Sequence, residues 1–131
     1  MPESRRSPVY DAFAKPGSPE SSAVYETPDS GYMTISMAVN PVLKNGEADL
    51  QIYNDPLNEH SQIVEIYEDA TGDLLYRSGI IPVGYSVGSA PLLKSLPAGD
   101  YACTARFQSV NPDTGALYGT AAANIKLTVI N

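Results

Sequence analysis

Ala123-Asn124-Ile125-Lys126-Leu127-Thr128-Val129-Ile130 decides the fold class. Ala123, Ile125, Leu127 and Val129 alternate with Asn124, Lys126, Thr128 and Ile130. Side chains of a strand point to opposite faces in turn, so this pattern buries one face and wets the other. The alternation recurs back through the chain to about Gly31, in short segments separated by turn residues. No window of a dozen residues places apolar side chains at i, i+3, i+4 and i+7 between helix caps. The pattern predicts an all-β domain, an Ig-like β-sandwich of about seven antiparallel strands after a flexible N-terminal tail.

Working outward from that stretch, the seventh strand spans about Leu117 to Ile130, with a bulge or bend near Gly119 to Ala122, where the side chains are small. Asn111-Pro112-Asp113-Thr114-Gly115 is a tight turn. The sixth strand, Tyr101 to Val110, turns Tyr101, Cys103, Ala105 and Phe107 inward. A fifth is expected from about Ser89 to Lys94. The glycine-rich stretch from Gly79 to Ser89 reads as a crossover, not a hairpin. The fourth strand is Leu74 to Arg77, entered through the turn Ala70-Thr71-Gly72-Asp73. The third, Gln62 to Glu68, points Val64 and Ile66 in and Glu65 and Tyr67 out. The second is Ala48 to Tyr53, closed by Asn54-Asp55-Pro56. The first is Tyr32 to Val39, with Met33, Ile35, Met37 and Val39 on one face. Asn40-Pro41 and Lys44-Asn45-Gly46 break it.

Residues 1–30 differ in kind. Five prolines and six serines fall there, and proline at that density opposes both helix and ladder. The segment reads as a linker or tail ahead of a domain at 31–131. Two pieces within it have strand character, Val9-Tyr10-Asp11-Ala12-Phe13 and Ala23-Val24-Tyr25. The tail is either disordered or adds to a sheet edge, its own or a neighbour's.

At 131 residues the chain holds one domain and a tail. Its net charge is −7, with no basic stripe to neutralise phosphates. That argues against nucleic acid and against attachment to anionic lipid. No apolar run approaches the roughly 18–20 residues that span a bilayer, so no direct membrane insertion is expected. Met1 leads into polar, proline-rich sequence without a signal peptide. The reading favoured here is an extracytoplasmic domain whose export signal or anchor lies outside this chain. Cys103, the single cysteine, has no internal partner and fits either redox compartment.

Candidate chemistry is thin. His60, the only histidine, sits in the polar loop Asn58-Glu59-His60-Ser61 and reads as solvated. A metal site would need more imidazole or thiolate ligands, and a Ser-His-Asp triad would need a nucleophile elbow. Cys103 reads as a small buried hydrophobe. Glu68, Asp69 and Asp73 cluster at a turn, but without the spacing of an EF-hand loop. Asp100 and Asp113 are turn residues in the same sense. No two acids stand apart as a glycosidase pair. No cofactor and no catalytic residue is expected. The nine tyrosines, with no tryptophan and two phenylalanines, are the feature that points to binding. Tyr53, Tyr67, Tyr76, Tyr85 and Tyr118 are not all accounted for by the inward pattern. They either cover a solvated strand face or supply rigid, amphipathic contact area.

Leu96-Pro97-Ala98-Gly99-Asp100-Tyr101 is similar to the approach to a late strand in immunoglobulin-like and fibronectin-type modules. By that resemblance Gly99 permits a sharp turn, and Tyr101 acts as a corner tyrosine whose hydroxyl bonds back to the backbone. The wider run also resembles a family. It comprises Val64-Glu65-Ile66-Tyr67, Thr71-Gly72, Leu75-Tyr76-Arg77-Ser78-Gly79, the corner motif and the closing strand. These features, over about residues 31–131, resemble small cell-surface β-sandwich domains of Gram-positive bacteria. Such domains usually follow an N-terminal membrane anchor and a polar linker, and they carry no catalytic residues to transfer. The resemblance implies a non-enzymatic structural or interaction module of a bacterial surface protein, serving adhesion, assembly or partner recognition. A protein partner or self-association is implied, through strand edges and exposed tyrosines. A sharper form is a filament subunit whose tail, through Val9, Tyr10, Val24 and Tyr25, donates a strand to the next copy. The alternative is a carbohydrate-binding β-sandwich with tyrosines as the platform, and the missing tryptophan counts against it.

Overall fold

Asn45-Gly46 and Thr71-Gly72 supply the local chemistry that returns the chain on itself, and the structure uses both. Asn45 and Gly46 take φ of 55° and 83°, the left-handed pair that a two-residue hairpin demands. In the computed structural model, residues 10–17, 23–26 and 33–130 are described. They form ten strands and no helix: β1 (Lys15–Pro16), β2 (Ala23–Glu26), β3 (Thr34–Met37), β4 (Val42–Lys44), β5 (Glu47–Tyr53), β6 (Ser61–Glu68), β7 (Leu74–Arg77), β8 (Tyr85–Pro91), β9 (Gly99–Val110) and β10 (Leu117–Val129). The protein is all-β. Eight strands make one curled, mixed sheet in the order β1-β8-β5-β4-β10-β9-β6-β7, and β2 pairs with β3 in a separate ribbon.

The predicted set of antiparallel strands needs correction at β4. Val42 and Leu43 pair in parallel with Thr128 and Val129 of β10, while β4 pairs antiparallel with β5. Pro41 turns the chain into this short strand, and Asn40 fastens it by donating from Nδ2 to the Lys126 carbonyl at 2.6 Å. The strand before it ends at Met37, not Val39. Val39 is 44% exposed, and its carbonyl accepts the Lys126 N–H. The fifth predicted strand is displaced too. It runs from Tyr85, directly after Gly84, which takes φ 83° and ends the turn, whereas Gly88 lies within the strand. The bulge at the start of β10 falls between Leu117 and Gly119.

The inward alternation produces the core. Ala48, Leu50 and Ile52 of β5, Val64 and Ile66 of β6, Cys103, Ala105 and Phe107 of β9, and Ala123, Ile125, Leu127 and Val129 of β10 share one cluster. Met33, Ile35 and Met37, from β3 and the residue before it, fill the same cluster, so the ribbon packs on the inner face of the curl. Phe107 is wholly buried, which stabilises the fold by about 1.5–3 kcal/mol. The ribbon and sheet meet where Ala38 N–H donates to the Leu50 carbonyl at 2.9 Å. There β5 carries a bulge against β8, and Gln51 adopts φ 53°, unusual for a residue with a Cβ.

Residues before the predicted boundary at residue 31 also pair. β2 lies antiparallel to β3, so the piece containing Val24 and Tyr25 is a strand. Tyr10 bridges Ile80 in parallel, and β1 pairs with the start of β8. Val9 lies outside the described residues.

Candidate functional site

Strand direction assembles one end of the molecule from four separate pieces of sequence. β5, β7 and β9 finish there and β6, β8 and β10 start there. It therefore gathers the loops at 54–60, 78–84 and 111–116, with the segment Tyr10–Gly17 beside them. Two buried amides make the first loop rigid. Asn54 donates from Nδ2 to the Ile81 carbonyl at 2.9 Å and the His60 carbonyl at 3.1 Å. Its Oδ1 accepts from Asn58 Nδ2 at 2.8 Å. Asn58 in turn clasps Thr34, accepting its N–H at 2.8 Å and donating to its carbonyl at 2.9 Å. Buried amides with their hydrogen bonds met fix a loop geometry, because any other arrangement strands a polar group.

On this end His60 stacks against Tyr118, with ring centroids 4.0 Å apart and planes inclined by 26°. Asn111 Nδ2 donates to the Tyr118 hydroxyl at 3.0 Å, which pins the outer ring. The histidine predicted to be solvated is thus half-buried under a tyrosine. Leu57, Leu117 and Tyr118 are exposed here, together with Tyr10 and Phe13 of the N-terminal segment. Beside Leu117 a hollow of about 350 Å³ has Ile63 and Val110 at its floor and Arg77, Gln108 and Thr114 around it. That volume lies at the small end of the range for ligand clefts.

The outer face of β6 next to the hollow carries charge. Glu65 points away from the core as predicted, yet it is only 5% exposed. Arg77 Nη1 reaches its Oε2 at 2.9 Å, the Tyr67 hydroxyl donates to its Oε1 at 2.9 Å, and Arg106 stands opposite it on β9. The hydrogen bond to Glu65, then burial, raises the Tyr67 hydroxyl above its ordinary value. Tyr67 is a proton donor held to one carboxylate.

The other predicted residues are dispersed. Tyr53 and Tyr85 are half-buried at the end of β5 and the start of β8, and Tyr85 packs on the core. Tyr76 is 4% exposed and belongs to the core, not to an open face. Its hydroxyl meets no partner in hydrogen-bonding geometry. Burial first, and the neighbouring Asp11 carboxylate second, raise it far above its ordinary value.

Gly99, Tyr101 and Cys103 lie at the opposite end. Gly99 takes φ 148°, and the Tyr101 hydroxyl donates to the Pro97 carbonyl at 2.6 Å. Cys103 is buried, and desolvation first, then Asp69 and Glu68, push its thiol up to about 11. Asp73 holds Lys94 at 2.7 Å, and no group of three or more metal-ligating side chains occurs among the described residues.

Sequence reasoning missed Asn54, Asn58 and the His60–Tyr118 pair. Asn54-Asp55-Pro56 carries a turn signal, and nothing along the chain separates a turn amide from a buried one. No protein-family model, no curated protein and no solved structure matches this chain.

Proposed function

We propose that the chain is a non-enzymatic interaction module of a bacterial cell-surface protein, and that the end built on Asn54 is its contact surface. One observation carries this. Of eight large apolar side chains exposed among the described residues, five (Tyr10, Phe13, Leu57, Leu117 and Tyr118) stand at that end. Exposed apolar groups gathered in one place mark interaction sites, whereas scattered ones need no explanation. The surface is also pre-ordered by Asn54 and Asn58, so a partner does not bear the cost of fixing the loop. The extracytoplasmic setting, and the reading of the curled sheet as an Ig-like sandwich, rest on the resemblance of residues 31–131 to Gram-positive surface domains. The Leu96–Tyr101 corner and the packing of β3 on the inner face support that reading. The partner favoured is a protein, a second copy of the chain first among them.

The test is light scattering on a sizing column across a concentration range, for the full chain and for a Leu57→Ser, Leu117→Ser, Tyr118→Ser variant. The full chain gains mass with concentration and the variant stays a monomer. A full chain that remains a monomer at every concentration overturns self-association through this end.

A further inference from the structure

The segment Tyr10–Gly17 crosses the Asn54 end and holds two places that lie far apart in the sheet. Tyr10 bridges Ile80 beyond β7, and Lys15 and Pro16 pair with Ser86 and Tyr85 at the start of β8. Asp11 is its anchor. The Asp11 N–H donates to the Ile80 carbonyl at 2.8 Å, and its Oδ2 accepts the Gly79 N–H at 2.8 Å. Its Oδ1 accepts the Phe13 N–H at 2.7 Å, which shapes the turn that follows. Gly17 N–H donates to the Gly84 carbonyl at 2.8 Å. The body thus holds a short peptide by its backbone and by one carboxylate of that peptide. The buried Tyr76 hydroxyl stands beside that carboxylate.

What this docking leaves undone is apolar burial. Tyr10 and Phe13 are about half exposed on their own body, and Ala14 is only partly covered by the core. The segment is held by hydrogen bonds at a few points, not by a packed face. Such a peptide is exchangeable, because a second copy offers the same bonds with the same geometry.

We propose that the backbone edge from Gly79–Ile80 to Tyr85–Ser86 is a strand-acceptor site, and that it takes residues 10–17 of a second copy in exchange for the chain's own. This rests on the self-association reading above and names its partner. Exchange remakes every hydrogen bond it breaks, so nothing polar is lost. Tyr10 and Phe13 then lie at the junction of two bodies, among the apolar side chains of the Asn54 end, and become buried. Strand addition of this kind draws affinity from main-chain bonds and selects by a few side chains, here Asp11.

Full-length chains test it by disulfide trapping. Lys15 and Ser86 are register partners, so Lys15→Cys and Ser86→Cys place two thiols within bonding reach when the segment is docked. Cys103 is buried at the opposite end of the sheet, out of reach of residue 15, and does not compete. One chain carrying both substitutions closes on itself and fixes the reference yield. An equimolar mixture of K15C chains and S86C chains is then concentrated and oxidised. The expected product is a linked species of twice the 14.0 kDa chain mass that contains one of each. Lys94→Cys in place of Ser86→Cys separates exchange from chance collision. Lys94 is exposed and lies past the far end of β8, so collision links it to the K15C chain at least as readily as Ser86→Cys, whereas exchange links only the S86C chain.

A mixture that gains mass by scattering yet forms no mixed disulfide overturns the exchange and leaves the self-association reading standing. A mixture that does neither overturns both. A K94C chain that links to the K15C chain as readily as the S86C chain does marks collision and overturns the exchange. Failure of the doubly substituted chain to close overturns the docked register itself.

Discussion

The β9–β10 hairpin and the segment Tyr10–Gly17 are both held by ladders, and they behave as opposites. β9 and β10 pair at twelve positions and bury one face of each strand, from Cys103 to Phe107 and from Ala121 to Val129. The N-terminal segment has a single bridge and a two-residue strand, and its large side chains stay in water. Backbone hydrogen bonds replace bonds to water and so contribute little net stability each, whereas apolar burial accumulates with area. The hairpin belongs to the body. The segment is attached to it.

The sharpest way to break this comparison is to cut each region once. Phe107→Ala leaves a cavity in the wholly buried core and is expected to lower unfolding free energy by about 3–5 kcal/mol in denaturant titration. Asp11→Ala removes the bond to Gly79 and is expected to cost about 1–2 kcal/mol or less globally. It should still abolish slow amide exchange at Gly79. A global loss from Asp11→Ala equal to that from Phe107→Ala would mean that the segment is part of the core and the contrast is false. Tyr101→Phe, which deletes the bond to Pro97 and leaves the ring in place, should cost about 0.5–1.5 kcal/mol.

Cys103 sharpens the hairpin side through pH. Its thiol is raised from near 9 to about 11 in the folded chain. The unfolded chain loses that proton first, so the contribution is whole below about pH 9 and disappears as pH rises toward 11. A Cys103→Ala variant should show a shallower loss of stability over that window. Lys94→Ala is the smallest change. Lys94 holds Asp73 below the ordinary carboxylate range, but both groups are exposed, and no measurable change in midpoint is expected at neutral pH.

The same contrast explains what was legible in the sequence. Alternation and turn dipeptides are local, so β5, β6, β9 and β10 stand in the sequence within a residue or two of their observed bounds. β4 does not. Three residues between Pro41 and Asn45-Gly46 carry too little pattern, and one of the two partners that make them a strand is β10, at the far end of the chain. Glu65 faces outward by periodicity, but only the cross-strand arginines and Tyr67 explain why it is buried. Tyr76 looked available because a buried tyrosine and a surface one share the same strand propensity. The candidate site was hardest to read. Its rigidity comes from two asparagines whose turn chemistry hides their burial, and its aromatic pair joins His60 to a residue on another strand. The strand character of Ala23–Tyr25 was visible, whereas the anchoring role of Asp11 depends on Gly79 and Ile80, which no local pattern connects to it.

The position of β10 sets an order on biosynthesis. It is the last strand of the ten in sequence, yet it sits inside the sheet, between β4 and β9. Until it leaves the ribosome, β1-β8-β5-β4 and β9-β6-β7 are separate half-sheets, each with a bare internal edge. Unpaired edges recruit other chains. Before β10 emerges the nascent protein therefore exposes two edges that the folded sheet conceals, and a chaperone that shields those edges would act in that interval.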